Sequence, residues 1–216
     1  MKCLILGATG LVGQQLLQQA LEDTTISEVI APTRKPLPPH AKLRNPIVDF
    51  DNLPLDASWW QVDVALCALG TTMKIAGTRE AFWTIDHDYV LRAASIAKDA
   101  GVSTFVYNSS LGADATSGSF YLQVKGKVEA DLETLGFAKL GIVRPSFLDG
   151  GPRPEKRPGE AIAIFLAKML TPILPRRYRA VSTSKVASMM WALANSDAKG
   201  KVVVESDAIY TQTKLK

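Results

Sequence analysis

Residues Gly7, Ala8, Thr9, Gly10, Leu11, Val12 and Gly13 join a short apolar run, residues 3–6, to a segment, residues 11–21, whose apolar positions recur at helical spacing. A strand, a glycine-rich turn and a helix in that order leave few folds open. Gly7 permits the tight turn, Gly10 lets backbone approach a diphosphate, and Gly13 lets the helix pack close to the strand. The unpaired N–H groups and the dipole at the helix start attract phosphate. The strand before and the helix after are the context that makes a glycine trio informative. Gly7, Thr9, Gly10, Leu11, Val12 and Gly13 are therefore the candidates for holding a dinucleotide.

The rest of the chain repeats this alternation. Strand-like runs are predicted at 28–31, 46–50, 62–69, 102–107, 138–143 and 201–204, and helices at 79–100, 120–135, 160–170 and 184–194. Prolines mark loops at 36–39 and 172–179, and Pro, Gly and charge mark another at 150–159. Near-continuous apolar strands between helices indicate a parallel sheet covered on both faces. Right-handed crossovers then give an α/β, doubly wound Rossmann fold of three αβα layers. The expected organisation is one NAD(P)-binding domain over 1–216, with 146–216 contributing a small lobe over the nicotinamide end. Trp59 and Trp60 read as packing or surface shielding.

The choice of dinucleotide rests on the end of the second strand, where an NAD binder places an acid for the ribose hydroxyls. About twenty residues beyond the glycine loop stand Thr33, Arg34 and Lys35, two cations and no acid. A guanidinium forks onto a 2′-phosphate, so Arg34 and Lys35 favour NADP(H) over NAD(H). Asp49, with Phe50 beside it, can accept from an adenine amino group or simply end its strand.

Ser109 and Ser110 follow the fifth strand, at the strand end where open parallel sheets bind ligands. Tyr121 and Lys125 follow four apart, on one face of the next helix. That order suits hydride chemistry. A phenol can supply a proton to a carbonyl oxygen, a neighbouring ammonium favours the phenolate, and a serine hydroxyl can hold the substrate oxygen. Lys125 can also hold the nicotinamide ribose. Gly126, costly inside a helix, calls for a close approach by cofactor or backbone.

Composition excludes other classes. The net charge of +4 is scattered rather than clustered, against a specific nucleic-acid partner. The two cysteines, Cys3 and Cys67, sit in apolar runs and read as buried thiols. His40 and His87 are too isolated for a metal site. The run 161–170, interrupted by Lys168, is about half the ~20 apolar residues a membrane span needs. With no secretory signal visible, a cytoplasmic protein is expected, a monomer or homodimer acting on a small molecule. Arg176, Arg177 and Arg179 read as a solvated loop or as a selector of anionic substrates.

The motifs resemble the short-chain dehydrogenase/reductase superfamily in its atypical branch, and within it the Tat-interacting, tumour-suppressor-related proteins and their bacterial relatives. The matching stretches are LILGATGLVG (4–13), TRKPL (33–37), VDFDNL (48–53), ALCALGTT (65–72), DHDYVLRAASIAKDAGV (86–102), NSSLGAD (108–114), YLQVKGKVEADL (121–132) and VRPSFLDG (143–150). The resemblance implies that Leu69, Gly70 and Thr71 line the cofactor and that Arg144, Pro145, Ser146 and Phe147 pass beside the nicotinamide. It implies catalytic roles for Ser110, Tyr121 and Lys125, with Ser109 the other candidate serine. The glycine spacing G-x-x-G-x-x-G departs from the mainstream G-x-x-x-G-x-G and matches extended and atypical members. These include reductases, epimerases, dehydratases and NADP-binding regulators. Two functions remain: an NADP(H)-dependent oxidoreductase of a small carbonyl or alcohol, or an NADP(H)-binding regulatory protein.

Overall fold

The computed structural model describes residues 1–149 and 175–211. The loop expected at 150–159, the helix at 160–170 and most of the loop at 172–179 lie outside the described residues. The strands are β1 (Lys2–Leu6), β2 (Glu28–Ile30), β3 (Leu43–Arg44), β4 (Val64–Cys67), β5 (Thr104–Asn108), β6 (Lys139–Arg144), β7 (Leu148–Asp149), β8 (Val181–Ser182) and β9 (Gly200–Glu205). The helices are α1 (Leu11–Glu22), α2 (Met73–Ala76), α3 (Arg79–Trp83), α4 (Tyr89–Asp99), α5 (Phe120–Thr134), α6 (Thr183–Asn195) and α7 (Ser206–Thr211).

Seven strands form one parallel sheet in the order β3-β2-β1-β4-β5-β6-β9, while β7 and β8 pair separately. Alternation along each strand divides the core in two. Leu4, Leu6, Ala65, Cys67, Phe105, Tyr107 and Ile142 face one way, packed with Val90 and Ala97 of α4 and Val128 and Leu132 of α5. Cys3, Ile5, Val64, Leu66, Val106 and Val143 face the other way, packed with Val12 and Leu16 of α1 and Val186 and Met190 of α6. This is the doubly wound three-layer arrangement the alternation predicts. Within 146–216, α6 and β9 are part of the sandwich itself. Trp59 and Trp60 are core residues, and the Trp60 indole donates to the Pro54 carbonyl at 2.7 Å. Cys3 and Cys67 are buried free thiols, pushed up to about 12 chiefly by that burial.

Three local expectations need revision. The third strand is Leu43–Arg44, not 46–50, of which only Ile47 bridges to Thr33. Pro46 has no N–H to give a ladder, and Asp49 turns the chain by accepting from the Asp51 N–H and the Asn52 amide. The last strand runs through Glu205 and leads into α7. The long helix predicted at 79–100 is interrupted by a π-turn, Thr84–Asp88, between α3 and α4.

The sheet order fixes where a ligand can lie. From β1 the chain winds outward through β2 and β3, then returns to place β4 on the other side of β1. A crevice opens at the carboxyl ends of β1 and β4, where the winding reverses. The glycine loop leaves β1 into this crevice, and Leu69, Gly70 and Thr71 leave β4 into it.

Candidate functional site

The glycine loop has the geometry its spacing predicts. Gly7 has φ +85°, and a Cβ there would lie 2.6 Å from the Ala68 carbonyl oxygen. A Cβ on Gly13 would lie 1.9 Å from the Gly7 carbonyl oxygen, so α1 starts hard against the loop. Gly10 differs: its nearest neighbour would be the Gly7 oxygen at 3.4 Å, an ordinary contact, and its outer side is open. Thr9, Gly10 and Leu11 are exposed, whereas Val12 is buried. Gly10 gives α1 no side-chain cap, and the first turn carries no acid. The helix therefore presents uncompensated N–H groups and positive dipole to the crevice, the arrangement an anionic diphosphate fits.

At the end of β2 the hydroxyl of buried Thr33 donates to the Lys35 carbonyl. The Arg34 and Lys35 side chains stand exposed, with no ion pair to any described residue. Phe50 is buried against α4, and Arg92 donates to the Phe50 and Asp51 carbonyls. The Asp49 carboxylate serves its own turn, whose hydrogen bonds hold its pKa below the usual carboxylate range.

Beyond β4 lies a cluster built from three elements. Lys125, 4% exposed on the inward face of α5, donates to the Tyr107 hydroxyl at 3.0 Å. Its ammonium lies 2.9 Å from Asp86 Oδ1, a charge contact rather than an aligned hydrogen bond. Asp86 Oδ2 accepts from the Thr71 N–H at 2.6 Å. A Cβ on Gly70 would meet Asp86 Oδ1 at 3.0 Å and the Lys125 ammonium at 3.6 Å, so this turn passes directly over the pair. Burial opposes the charge on Lys125. Tyr107, Asp86 and Tyr121 more than offset it and hold the ammonium above the ordinary lysine value. Burial also pushes Tyr107 well above the usual phenol range. Tyr107 is thus a neutral hydroxyl at pH 7, and the counter-charge is Asp86.

Tyr121, one turn before Lys125, has its ring centroid 5.9 Å from the ammonium and an edge contact with Phe82 at 6.0 Å. It is 38% exposed, and its hydroxyl has no hydrogen-bond partner among the described residues. The Ser110 hydroxyl is likewise unpartnered there. Ser109 is engaged: its hydroxyl donates to buried Glu129 at 2.5 Å. Glu129 also takes a bidentate pair from Arg144, which lies 3.5 Å from Glu205. Arg144 thus spends its guanidinium on α5 and β9. Pro145 is buried, Ser146 donates to the Arg179 carbonyl at 2.5 Å, and Phe147 is 77% exposed. Arg177 pairs with Glu205, and Arg179 lies over the Tyr210 ring, so these cations dock their segment onto β9 and α7.

Glu129 stands one turn past Lys125 and ties the ends of β5 and β6 to α5. Glu129→Ala removes the bidentate partner of Arg144, which keeps Glu205, and the acceptor of the Ser109 hydroxyl, a loss of about 1.5–3 kcal/mol. Urea unfolding of the two proteins is expected to show it, and a change within ~0.5 kcal/mol would contradict this placement.

Gly126 has its explanation inside the fold. A Cβ there would lie 2.2 Å from the backbone of Asp114 and Ala115, so the loop after Ser110 rests on the helix at this point. Asp86 was not singled out by sequence reasoning, although a signal existed. Phe82, Asp86 and Val90 lie four apart on the buried stripe, and an acid there is out of place unless paired. An open cavity of about 400 Å³, lined by Lys2, Glu28, Lys42 and Arg44 among others, lies where β1 and β2 begin, at the opposite end of the sheet. No helix among the described residues is long and apolar enough to cross a membrane.

Comparison with known proteins agrees with this geometry. The family model described as NAD(P)H-binding matches residues 7–197. Protein HTATIP2 of Rattus norvegicus is 38% identical over 197 residues, 89% of this chain and 79% of that protein. The mitochondrial protein FMP52 of Eremothecium gossypii is 34% identical over 226 residues, 99% of this chain and 98% of that protein. Among solved structures, MoeE5 in complex with UDP-glucuronic acid and NAD superposes with a TM-score of 0.72 at 19% identity, covering 94% of this chain and 75% of that one. A UDP-glucuronic acid 4-epimerase from Bacillus cereus superposes with a TM-score of 0.69 at 15% identity, covering 95% and 77%. The naming of several fungal relatives as mitochondrial overturns the cytoplasmic expectation. That expectation rested on missing secretory and membrane signals, which do not distinguish cytosol from mitochondrion. The chain therefore belongs to the NAD(P)H-binding family of Rossmann proteins, in the atypical branch of the short-chain dehydrogenase/reductases.

Proposed function

We propose that the protein is an NADP(H)-dependent oxidoreductase acting on a small carbonyl or alcohol. The observation that carries the reading is the meeting of three features at one crevice: the uncapped start of α1, the Gly70 turn lying over a buried ammonium, and an exposed, unpartnered phenol beside that ammonium. When bound, the dinucleotide supplies the capacity to exchange a hydride with substrate.

Gly7, Thr9, Gly10, Leu11, Val12 and Gly13 hold the diphosphate, and Leu69, Gly70 and Thr71 line the ring-bearing half. The Tyr121 hydroxyl gives its proton to the substrate oxygen in the reducing direction and takes it in the other. Lys125, whose ammonium lies 5.9 Å from the Tyr121 ring centroid, holds the ribose hydroxyls. The free Ser110 hydroxyl, rather than Ser109, orients the substrate oxygen, because Ser109 is already donated to Glu129. A carbonyl panel tests the reading: the protein is expected to consume NADPH with at least one member. A panel that never consumes it, beside a protein that binds NADPH, would favour the regulatory alternative.

Arg34 and Lys35 select NADP(H) because their charges are uncommitted and exposed beside the end of β2. Arg34→Glu is expected to weaken NADPH about tenfold or more, the worth of one charge-assisted hydrogen bond, and to leave NADH little changed. Calorimetric titration with both dinucleotides measures this, and equal losses for the two would remove Arg34 from the selection.

A further inference from the structure

Three buried side-chain polar atoms lack a hydrogen-bond partner among the described residues: Asp86 Oδ1, Ser206 Oγ and Asn108 Oδ1. Asp86 Oδ1 has the Lys125 ammonium beside it, and Ser206 lies wholly buried at the start of α7, after the edge strand β9. Asn108 has no such account. It ends β5, between β4 and β6, immediately before Ser109 and Ser110. Its amide nitrogen has no partner among the described residues either. Turning the amide over would only exchange a stranded oxygen for a stranded N–H. Strand alternation sends Tyr107 toward Lys125, and Val106 and Asn108 toward the layer of α1 and α6. Val143 of β6 is its registered neighbour, and β4 runs past the Cys67–Tyr107 pair into Ala68, which packs under Gly7. Both flanking side chains are apolar. The backbone donors at these strand ends are committed: Ser109 N–H to Val143, Leu111 N–H to Pro145 and Ala68 N–H to Leu6. A partner for Asn108 therefore has to come from outside the chain.

We propose that Asn108 anchors the nicotinamide end of the dinucleotide, its amide pairing with the carboxamide that the ring carries. This rests on the dinucleotide-binding reading above. A buried polar group left unpaired costs stability, and a chain tolerates it where a ligand repays it. A primary amide holds both an acceptor and donors, so it matches another primary amide whichever way either is turned. A carbonyl substrate has no donor for the buried oxygen. The ribose hydroxyls, the other donors of that half of the dinucleotide, fall to Lys125, which approaches from the opposite face of β5.

The test is calorimetric titration of the parent and Asn108→Val with NADP+, its acetylpyridine analogue and adenosine 2′,5′-bisphosphate. The analogue carries a methyl in place of the carboxamide nitrogen and keeps the carbonyl. The bisphosphate lacks the nicotinamide half. The parent is expected to bind the analogue about tenfold more weakly than NADP+. Asn108→Val is expected to bind NADP+ about tenfold more weakly than the parent, to bind NADP+ and the analogue alike, and to hold the bisphosphate as the parent does. Free of ligand, Asn108→Val should unfold in urea at or above the parent midpoint, since it removes a stranded polar atom and puts a β-branched residue in a strand. A merely structural role predicts a lowered midpoint and equal losses for NADP+ and the bisphosphate, and that result overturns the proposal. Parent-like NADP+ affinity in Asn108→Val overturns it as well, leaving the oxygen to a water. Should Asn108→Val fail to fold, the parent alone carries the test: equal affinity for NADP+ and the analogue overturns the proposal. If the parent binds NADP+ and fails these comparisons, this inference falls alone. If the parent binds neither NADP+ nor the bisphosphate, the functional reading falls and this inference with it.

Discussion

Tyr121→Phe is expected to cut turnover by about 100- to 10,000-fold, the usual worth of a positioned proton donor, and to leave NADPH affinity and stability close to those of the parent. The substitution removes one oxygen and little else. The ring keeps its edge contact with Phe82 and its place 5.9 Å from the Lys125 ammonium. The hydroxyl is partnerless among the described residues and the side chain is 38% exposed, so deleting it strands no buried group. Its loss should appear in kcat and kcat/KM together, as for an interaction made in the transition state. The measurement is steady-state NADPH consumption with whichever carbonyl the parent reduces. Turnover within about twofold of the parent would take Tyr121 out of the chemistry and leave the unpartnered Ser110 hydroxyl as the next proton donor to test.

Gly13→Ala is expected to cost more than about 3 kcal/mol, beyond the common range for overpacking and a large share of the ~5–15 kcal/mol that holds a domain together. The new methyl carbon would stand 1.9 Å from the Gly7 carbonyl oxygen, 2.7 Å from its carbon and 2.9 Å from the Ala8 Cα. All three are backbone atoms, so no rotamer change relieves the clash. Relief requires α1 to lift from the loop, which its inner residues Val12, Leu16 and Ala20 resist by their burial. The Trp191 indole of α6, donating to the Leu16 carbonyl, resists it too. Urea unfolding should show a sharply lowered midpoint. Gly10→Ala is the paired control: its Cβ meets the Gly7 oxygen at 3.4 Å and the Ala68 oxygen at 4.0 Å, both ordinary contacts. It should unfold like the parent and lose NADPH affinity, because space at Gly10 is needed by a ligand rather than by the chain. A Gly13→Ala protein as stable as its parent would mean that the loop and α1 are less tightly joined than described.

Most of the architecture is legible in the sequence. Apolar runs alternating with helical spacing carry the parallel sheet because a strand covered on both faces must be apolar at successive positions. The runs at β1, β4, β5 and β6 have that character, and all four lie in the middle of the sheet. The expectation failed at the third strand, where only two residues pair, because edge pairing leaves so weak an apolar signal that Pro46 and Asp49 decide the local path. The glycine loop was legible because its requirements are local in the chain. Gly126 was legible as an oddity, and its cause was left between cofactor and backbone until the fold put Asp114 and Ala115 against it.

The sequence by itself determined the sheet, the loop that opens α1, and the order in which serine, tyrosine and lysine reach one end of the strands. These follow from periodicity and spacing, which are properties of contiguous residues. Only the tertiary structure decided which groups are spent and which are free. Ser109 is consumed by Glu129 twenty residues away, Lys125 by Asp86 thirty-nine residues earlier, and Arg144 by α5, while the hydroxyls of Tyr121 and Ser110 are left open. A hydrogen bond or ion pair forms between groups that folding brings within about 3 Å, and separation along the chain carries no trace of that distance.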